Sequence, residues 1–247
     1  MSLLAFEACK SLPAALLVWM HPLVLAAPVV IAGLSYFQAI KGRDLSTGLQ
    51  RYLTEHSALP PYDGWPGAGN IMLAAMDVSI VSLSATVVSQ SFAFQELCIT
   101  VICAVVMVFV ALFLVPLTAQ GIGMTPLLSL AFTTRSVTAA IGITISRMVH
   151  SNMSIAGCII VLTGVMGPLL GPVLLRLARV SKDDHLTIGV TMGSISHGIA
   201  TAYLYNTNRP AAAMASLAFT LSAVVAVITA SIPPLATAAR VTAGYSP

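Results

Sequence analysis

Three ionisable side chains lie deep in hydrophobic stretches: Asp77, Arg135 and His197. Asp77 sits in IMLAAMDVSIVSLSATVV, Arg135 in LLSLAFTTRSVTAAIGITIS and His197 in GVTMGSISHGIATAYLY. A charge placed in apolar lipid is costly, so such a residue faces a partner, a cavity or water. A guanidinium matches a carboxylate with two parallel hydrogen bonds. Asp77 is one expected partner of Arg135, and a bound small carboxylate is the other. A structural role competes with each reading: a buried ion pair for Asp77 and Arg135, a helix-packing hydrogen bond for His197.

The surroundings of Arg135 favour a ligand. In Thr133-Thr134-Arg135-Ser136-Val137-Thr138, five of six positions carry a hydroxyl or a charge. Hydroxyls beside freed backbone amides at a helix break are suited to a small anion. The stretch SISHGIAT repeats that style, with Ser194, Ser196, His197 and Thr201 beside Gly193 and Gly198. The expected substrate-binding set is therefore Arg135, Ser136, Thr138, Ser196, His197 and Asp77. His197 has a side chain that titrates near physiological pH, which suits proton coupling. Adjacent residues on a helix point about 100° apart, so Ser196 and His197 are not expected to form a catalytic pair. No nucleophile elbow, phosphate loop, paired metal-binding histidines or carboxylate dyad is present, and no enzyme activity, cofactor or metal is expected.

These residues must be held by membrane-spanning elements. Of the 247 residues, 57% are hydrophobic and 8% are charged, against roughly 25% charged in an average soluble domain. Such a chain cannot cover a water-facing surface, and a disordered chain would need low hydrophobicity and high charge. The net charge of +3 is not gathered into a basic stripe, which argues against a nucleic-acid partner. Cys9, Cys98, Cys103 and Cys158 form no Cys-x-x-Cys pair and read as small packing residues.

A bilayer span needs roughly 20 apolar residues. Seven segments approach that length: 12–40, 68–89, 97–117, 126–148, 155–177, 186–205 and 211–235. The second, fourth and sixth are rich in Ser, Thr and Gly and are candidates for broken or re-entrant helices. The expected fold is an all-α polytopic transmembrane bundle, some of its segments discontinuous, in one membrane domain over 1–247. If all seven segments cross, Lys41, Arg43, Arg51, Arg176, Arg179, Lys182 and Arg240 share one side. Lys10, Arg147 and Arg209 lie on the other, and the positive-inside rule then puts the C-terminus on the cytoplasm-like side. Asp77, Arg135 and Ser194, the middles of the polar segments, are spaced by 58 and 59 residues, a faint internal repeat. Gly167 and Gly171, and likewise Gly189 and Gly193, are small-xxx-small pairs suited to close helix packing. Pro168 and Pro172 are expected to kink their helix.

Three stretches carry a family resemblance. RSVTAAIGITIS (Arg135–Ser146) is similar to the Lys-Ser-Val-Thr-Thr-Pro-Ile-Ala segment of the LrgB/CidB membrane proteins. VLTGVMGPLLGPVLLRL (Val161–Leu177) resembles their Thr-Gly…Gly-Pro helix, and GVTMGSISHGIATA (Gly189–Ala202) their Ser-His segment. The likeness is good over 126–235 and looser before that. Arg135 stands where the family usually has Lys, Ala140 where it has Pro, and Thr144 where Glu is common. Asp77 lies where the family often has Gly-Pro-Ala-Thr.

SLPAALLVWMHPLVLAAPVV resembles the family's second helix, so the first is expected to be shortened. The chain would then be a truncated form or the C-terminal half of a fused two-part protein. The resemblance implies one of two functions: a carrier of small monocarboxylates such as glycolate, glycerate or pyruvate, or a holin/antiholin-like regulator of murein hydrolase export and lysis. It implies an integral membrane protein whose partners are the lipid bilayer, a small organic anion, and an LrgA-like half or further copies of the chain.

Overall fold

The structure, a computed structural model, describes residues 4, 7, 8, 11, 22–44, 46–47, 67, 69–71, 74–75, 78 and 92–246. Asp77, most of the expected second segment and most of the polar loop between Lys41 and Gly67 lie outside the described residues. The chain divides into two compact units, Met1–Ile80 and Val81–Pro247. All regular elements among the described residues are helical.

In the first unit, α1 covers Pro22–Ile40. The Lys41 ammonium follows it and lies 4.5 Å from the centre of the Phe37 ring, a cation–π contact.

The second unit begins with α2, Phe94–Gly121, interrupted by a π turn at Val110–Leu114. Next come a short α3, Pro126–Ala131, a 3-10 turn at Phe132–Thr134, and α4, Ala139–Met148. Then follow α5, Met153–Leu177, α6, His185–Thr207, α7, Arg209–Ser231, and a short α8, Pro233–Thr242. Local chemistry sets these starts. The Glu96 carboxylate accepts from the Ala93 amide at 2.9 Å. Asn152, Asp184 and Asn208 cap α5, α6 and α7 by accepting from the amides of Ile155, Thr187 and Ala211. Each cap satisfies an amide that the helix leaves without a partner.

Only α2, α5 and α7 among the described helices are long and apolar enough to cross a membrane. The fourth and sixth sequence segments, 126–148 and 186–205, were candidates for broken or re-entrant helices, and both double back as helical hairpins.

The sixth segment shows this most directly. A straight helix of 23 residues would be about 34 Å long. Yet the Asn208 side-chain amide, just past the end of α6, donates to the Lys182 carbonyl, just before its start, at 3.4 Å. The turn lies at Ser196 (φ −124°, ψ 19°) and His197 (φ 42°, ψ −138°), where the backbone leaves helical geometry. Met192 and Ala200, on opposite arms, share one buried cluster, as do Ala200, Leu204 and Ala211.

The fourth segment turns at Arg135–Thr138. Its first arm puts Ala131 in a cluster with Ala156 and Ile159 of α5. Its second arm puts Gly142 against the Ile160 side chain, and Thr134 faces Gly142 across the turn. Both arms therefore flank the same turns of α5.

The two hairpins enter from opposite ends of α7. The open end of the 126–148 hairpin lies beside the end of α7, where the Ser231 hydroxyl sits 3.8 Å from the Met148 sulfur. The open end of the 185–207 hairpin lies beside the start of α7, at Asn208. Arg176, Arg179, Lys182 and Arg209 are thus together, and Arg147 and Arg240 lie at the other end. Arg209 and Arg240 each exchange sides relative to the seven-crossing expectation. The positive-inside rule now puts the 185–207 hairpin's base on the inner side and the C-terminus opposite.

Small residues let α7 serve as the central helix. A methyl group on Gly189 would meet the Ala211 carbonyl and the Met214 side chain, and one on Gly193 would meet Ala215 backbone atoms. The second glycine pair read from the sequence is therefore a close-packing contact between α6 and α7. Large apolar side chains on the outer faces of α2 and α5, such as Ile102, Val106, Leu162 and Leu174, are exposed. In a bilayer these faces meet lipid.

Candidate functional site

The polar residues singled out in the sequence sit at the two hairpin turns. In the first, the 3-10 turn ends at Arg135, and α4 restarts at Ala139 with Thr138 as its extended N-cap (φ −67°, ψ 155°). A run of Thr and Ser favours this break, because short hydroxyl side chains compete for backbone hydrogen bonds. Thr133 and Thr134 do so, donating to the carbonyls of Leu130 and Ala131. The Gly142 amide is the first of α4 to bond back, to the Thr138 carbonyl at 2.8 Å. The amides before it face the turn with no intrahelical acceptor.

Ser136 and Thr138 are buried, and the Thr138 hydroxyl has no hydrogen-bond partner among the described residues. Arg135 is partly buried, and its guanidinium makes no hydrogen bond or ion pair among them. The expected Asp77–Arg135 pairing involves a residue outside the described ones. The resulting group is one cation, two hydroxyls and the amide end of a ten-residue helix. Its electrostatics suit an anion.

The second turn is held by side-chain hydrogen bonds to α5. The Ser196 hydroxyl donates to the Thr163 carbonyl at 3.2 Å, and His197 Nε2 donates to the Ile160 carbonyl at 3.2 Å. His197 thus carries its proton on Nε2. It is 5% exposed and Ser196 is fully buried. Each side chain bonds a different carbonyl of α5, so the two do not form a Ser–His pair. Thr201 donates to the His197 carbonyl, and the Ser194 hydroxyl is buried without a partner among the described residues.

Both turns reach the same part of α5. Gly142, four residues past Thr138, packs on the Ile160 side chain, and His197 bonds the Ile160 carbonyl. Arg135, Ser136 and Thr138 thus approach this level from one end of the membrane, Ser196 and His197 from the other. The sequence reading assigned no site role to the bed that receives the second turn. Gly164 lies under the His197 ring and Gly167 under the Ser196 side chain, with no room for a methyl group at either. Gly171 similarly faces Met192. The glycine spacing announced close packing, but not that its partner was the polar turn. Among the described residues, no three His, Cys, Asp or Glu side chains gather as a metal site.

Three membrane-length helices and two opposed re-entrant hairpins define a polytopic helical membrane protein with broken helices at mid-span. The LrgB-like family profile matches residues 2–235, and the chain belongs to that family. The holin-like protein CidB of Staphylococcus aureus is 31% identical over 112 residues, covering 45% of this chain and 48% of the relative. CidB of Staphylococcus epidermidis is 33% identical over 91 residues, 37% of this chain and 39% of the relative. An uncharacterised protein of Haemophilus influenzae is 25% identical over 171 residues, 69% of this chain and 73% of the relative. The chain thus spans about half the length of the Staphylococcus aureus relative it matches. No solved structure matches the chain.

Proposed function

We propose that this protein carries a small monocarboxylate, of the glycolate, glycerate or pyruvate kind, through a site between the two hairpin turns. The observation that carries this reading is the first turn. At the amide end of α4 it holds Arg135 and, three positions on, the buried Thr138, and neither the guanidinium nor the Thr138 hydroxyl has a partner among the described residues. A carboxylate there would receive two hydrogen bonds from Arg135 and others from Thr138, Ser136 and the free amides. Opposed broken helices around a mid-membrane site are a recurring plan in secondary carriers. Ser196 and His197 would close the far side, with His197 as a proton-coupling group.

The test is uptake of labelled glycolate, glycerate and pyruvate into proteoliposomes. Saturable uptake of at least one is expected. Arg135→Ala should weaken it by about 10- to 100-fold, the loss of about 1.5–3 kcal/mol of charged hydrogen bonding. Wild-type-like uptake by Arg135→Ala would sink the site assignment.

A second reading is favoured by the names of the Staphylococcus relatives, which are holin-like proteins. In that case the chain forms or regulates a pore, as a homo-oligomer or with an LrgA-like partner. Its signature is leakage of entrapped dye that rises with protein density and shows no saturation or substrate preference. Dye leakage without saturable uptake would replace the carrier reading with this one.

A further inference from the structure

The elements of the second unit repeat with a fixed offset. α2 starts at Phe94 and α5 at Met153, 59 residues later. The first hairpin runs from Pro126 to Met148 and the second from His185 to Thr207, each bound again shifted by 59. The turns correspond as well: Thr138 matches His197, and Val137 matches Ser196. Below them, Val108 of α2 matches Gly167 of α5. Val137 shares a buried cluster with Val108, and Ser196 lies on Gly167. Even the irregularities agree, since the π turn at Val110–Leu114 falls at the level of Pro172 in α5. Each copy has one crossing helix, so the second copy is upside down relative to the first, as in inverted-repeat membrane proteins.

The copies differ where they hold their hairpins. At the first turn, Val137 lies in one buried apolar cluster with Val108 of α2, and the cap residue Thr138 has relaxed backbone angles. The second turn rests on glycine, is pinned by two hydrogen bonds to α5 carbonyls, and contains His197 at φ 42°. A positive φ is strained for a residue with a β-carbon and persists only where the surroundings enforce it. Apolar packing fixes the first hairpin, whereas two polar latches and a strained turn hold the second.

We propose that residues 94–207 are two inverted copies of one helix-plus-hairpin unit, and that the 185–207 hairpin is the mobile one, lifting from the glycine bed of α5 while the 126–148 hairpin stays on α2. Its release breaks the Ser196–Thr163 and His197–Ile160 bonds, relaxes His197 and opens the space between the turns. The proposal stands apart from what is carried.

Membrane-impermeant thiol labelling in proteoliposomes tests it, in a background with Cys9, Cys98, Cys103 and Cys158 replaced by Ser. Gly198→Cys, just past the second turn where a β-carbon has open space, reports the mobile hairpin. Ala139→Cys, 59 residues earlier, reports the fixed one. Gly167→Val, which installs the residue type of the first copy, should raise labelling at 198 several-fold and leave 139 unchanged. A Thr163→Cys/Ser196→Cys crosslink should suppress labelling at 198, with reduction restoring it, and keeps the test decisive if Gly167→Val does not fold. Labelling at 198 that ignores the crosslink, or equal changes at 139 and 198, would overturn the proposal.

Discussion

At the scale of single residues, glycine placement decides how closely helices meet. Gly193 faces the Ala215 backbone, where a β-carbon would stand 2.6 Å from Cα. Backbone cannot move aside as a flexible side chain can. Gly193→Ala is therefore expected to destabilise the protein by about 1–3 kcal/mol. Gly157, on α5, has nothing within 4 Å of its would-be β-carbon. Gly157→Ala should be neutral or stabilising by about 0.5–1 kcal/mol, through helix propensity. Thermal unfolding of both variants in detergent checks the pair, and similar losses in both would refute the packing argument. The sequence showed Gly189 and Gly193, like Gly167 and Gly171, as small-residue pairs. Their partners were not legible, because spacing along one helix does not say which neighbour fills the groove.

At the scale of elements, the hairpin ends rest on capping chemistry. Asp184 starts α6 by accepting from the Thr187 amide at 2.9 Å, and that hydrogen bond holds its carboxyl below the ordinary carboxylate range. Because the folded state favours the ionised form, this contribution is present above the unfolded carboxylate value and is lost as pH falls through the folded one. Asp184→Ala should lower stability by about 1 kcal/mol at neutral pH. The gap from wild type should close on acidification below pH ~4. A gap that stays constant with pH would mean that the carboxylate is not the cap. The hydroxyl-rich breaks near Arg135 and His197 were readable in the sequence. Whether those breaks kink a crossing helix or reverse it was not readable, since both need the same local residues.

At the scale of the whole second unit, reversal changes which charges share a face. Thr125→Cys and Ser154→Cys should react with an impermeant thiol reagent from one side of the membrane. Lys182→Cys and Thr207→Cys should react only from the other. A single crossing by 185–207 would put 182 and 207 on opposite sides, and that labelling pattern would refute the hairpin.

The amino-acid sequence by itself determined that the chain is helical and membrane-embedded, because 57% hydrophobic residues with 8% charged cannot be solvated otherwise. It also marked the polar turns, because Arg, His, Ser and Thr in lipid need a specific reason to be there. Only the tertiary structure decided that 126–148 and 185–207 turn back, that Asn208 meets Lys182, and that both turns arrive at Ile160. The physical reason is that reversal is stabilised by contacts between residues far apart in the chain. These are the glycines of α5 and α7's Ala215, whose match to the turn at Ser196–His197 and to Gly193 exists only once the helices are packed.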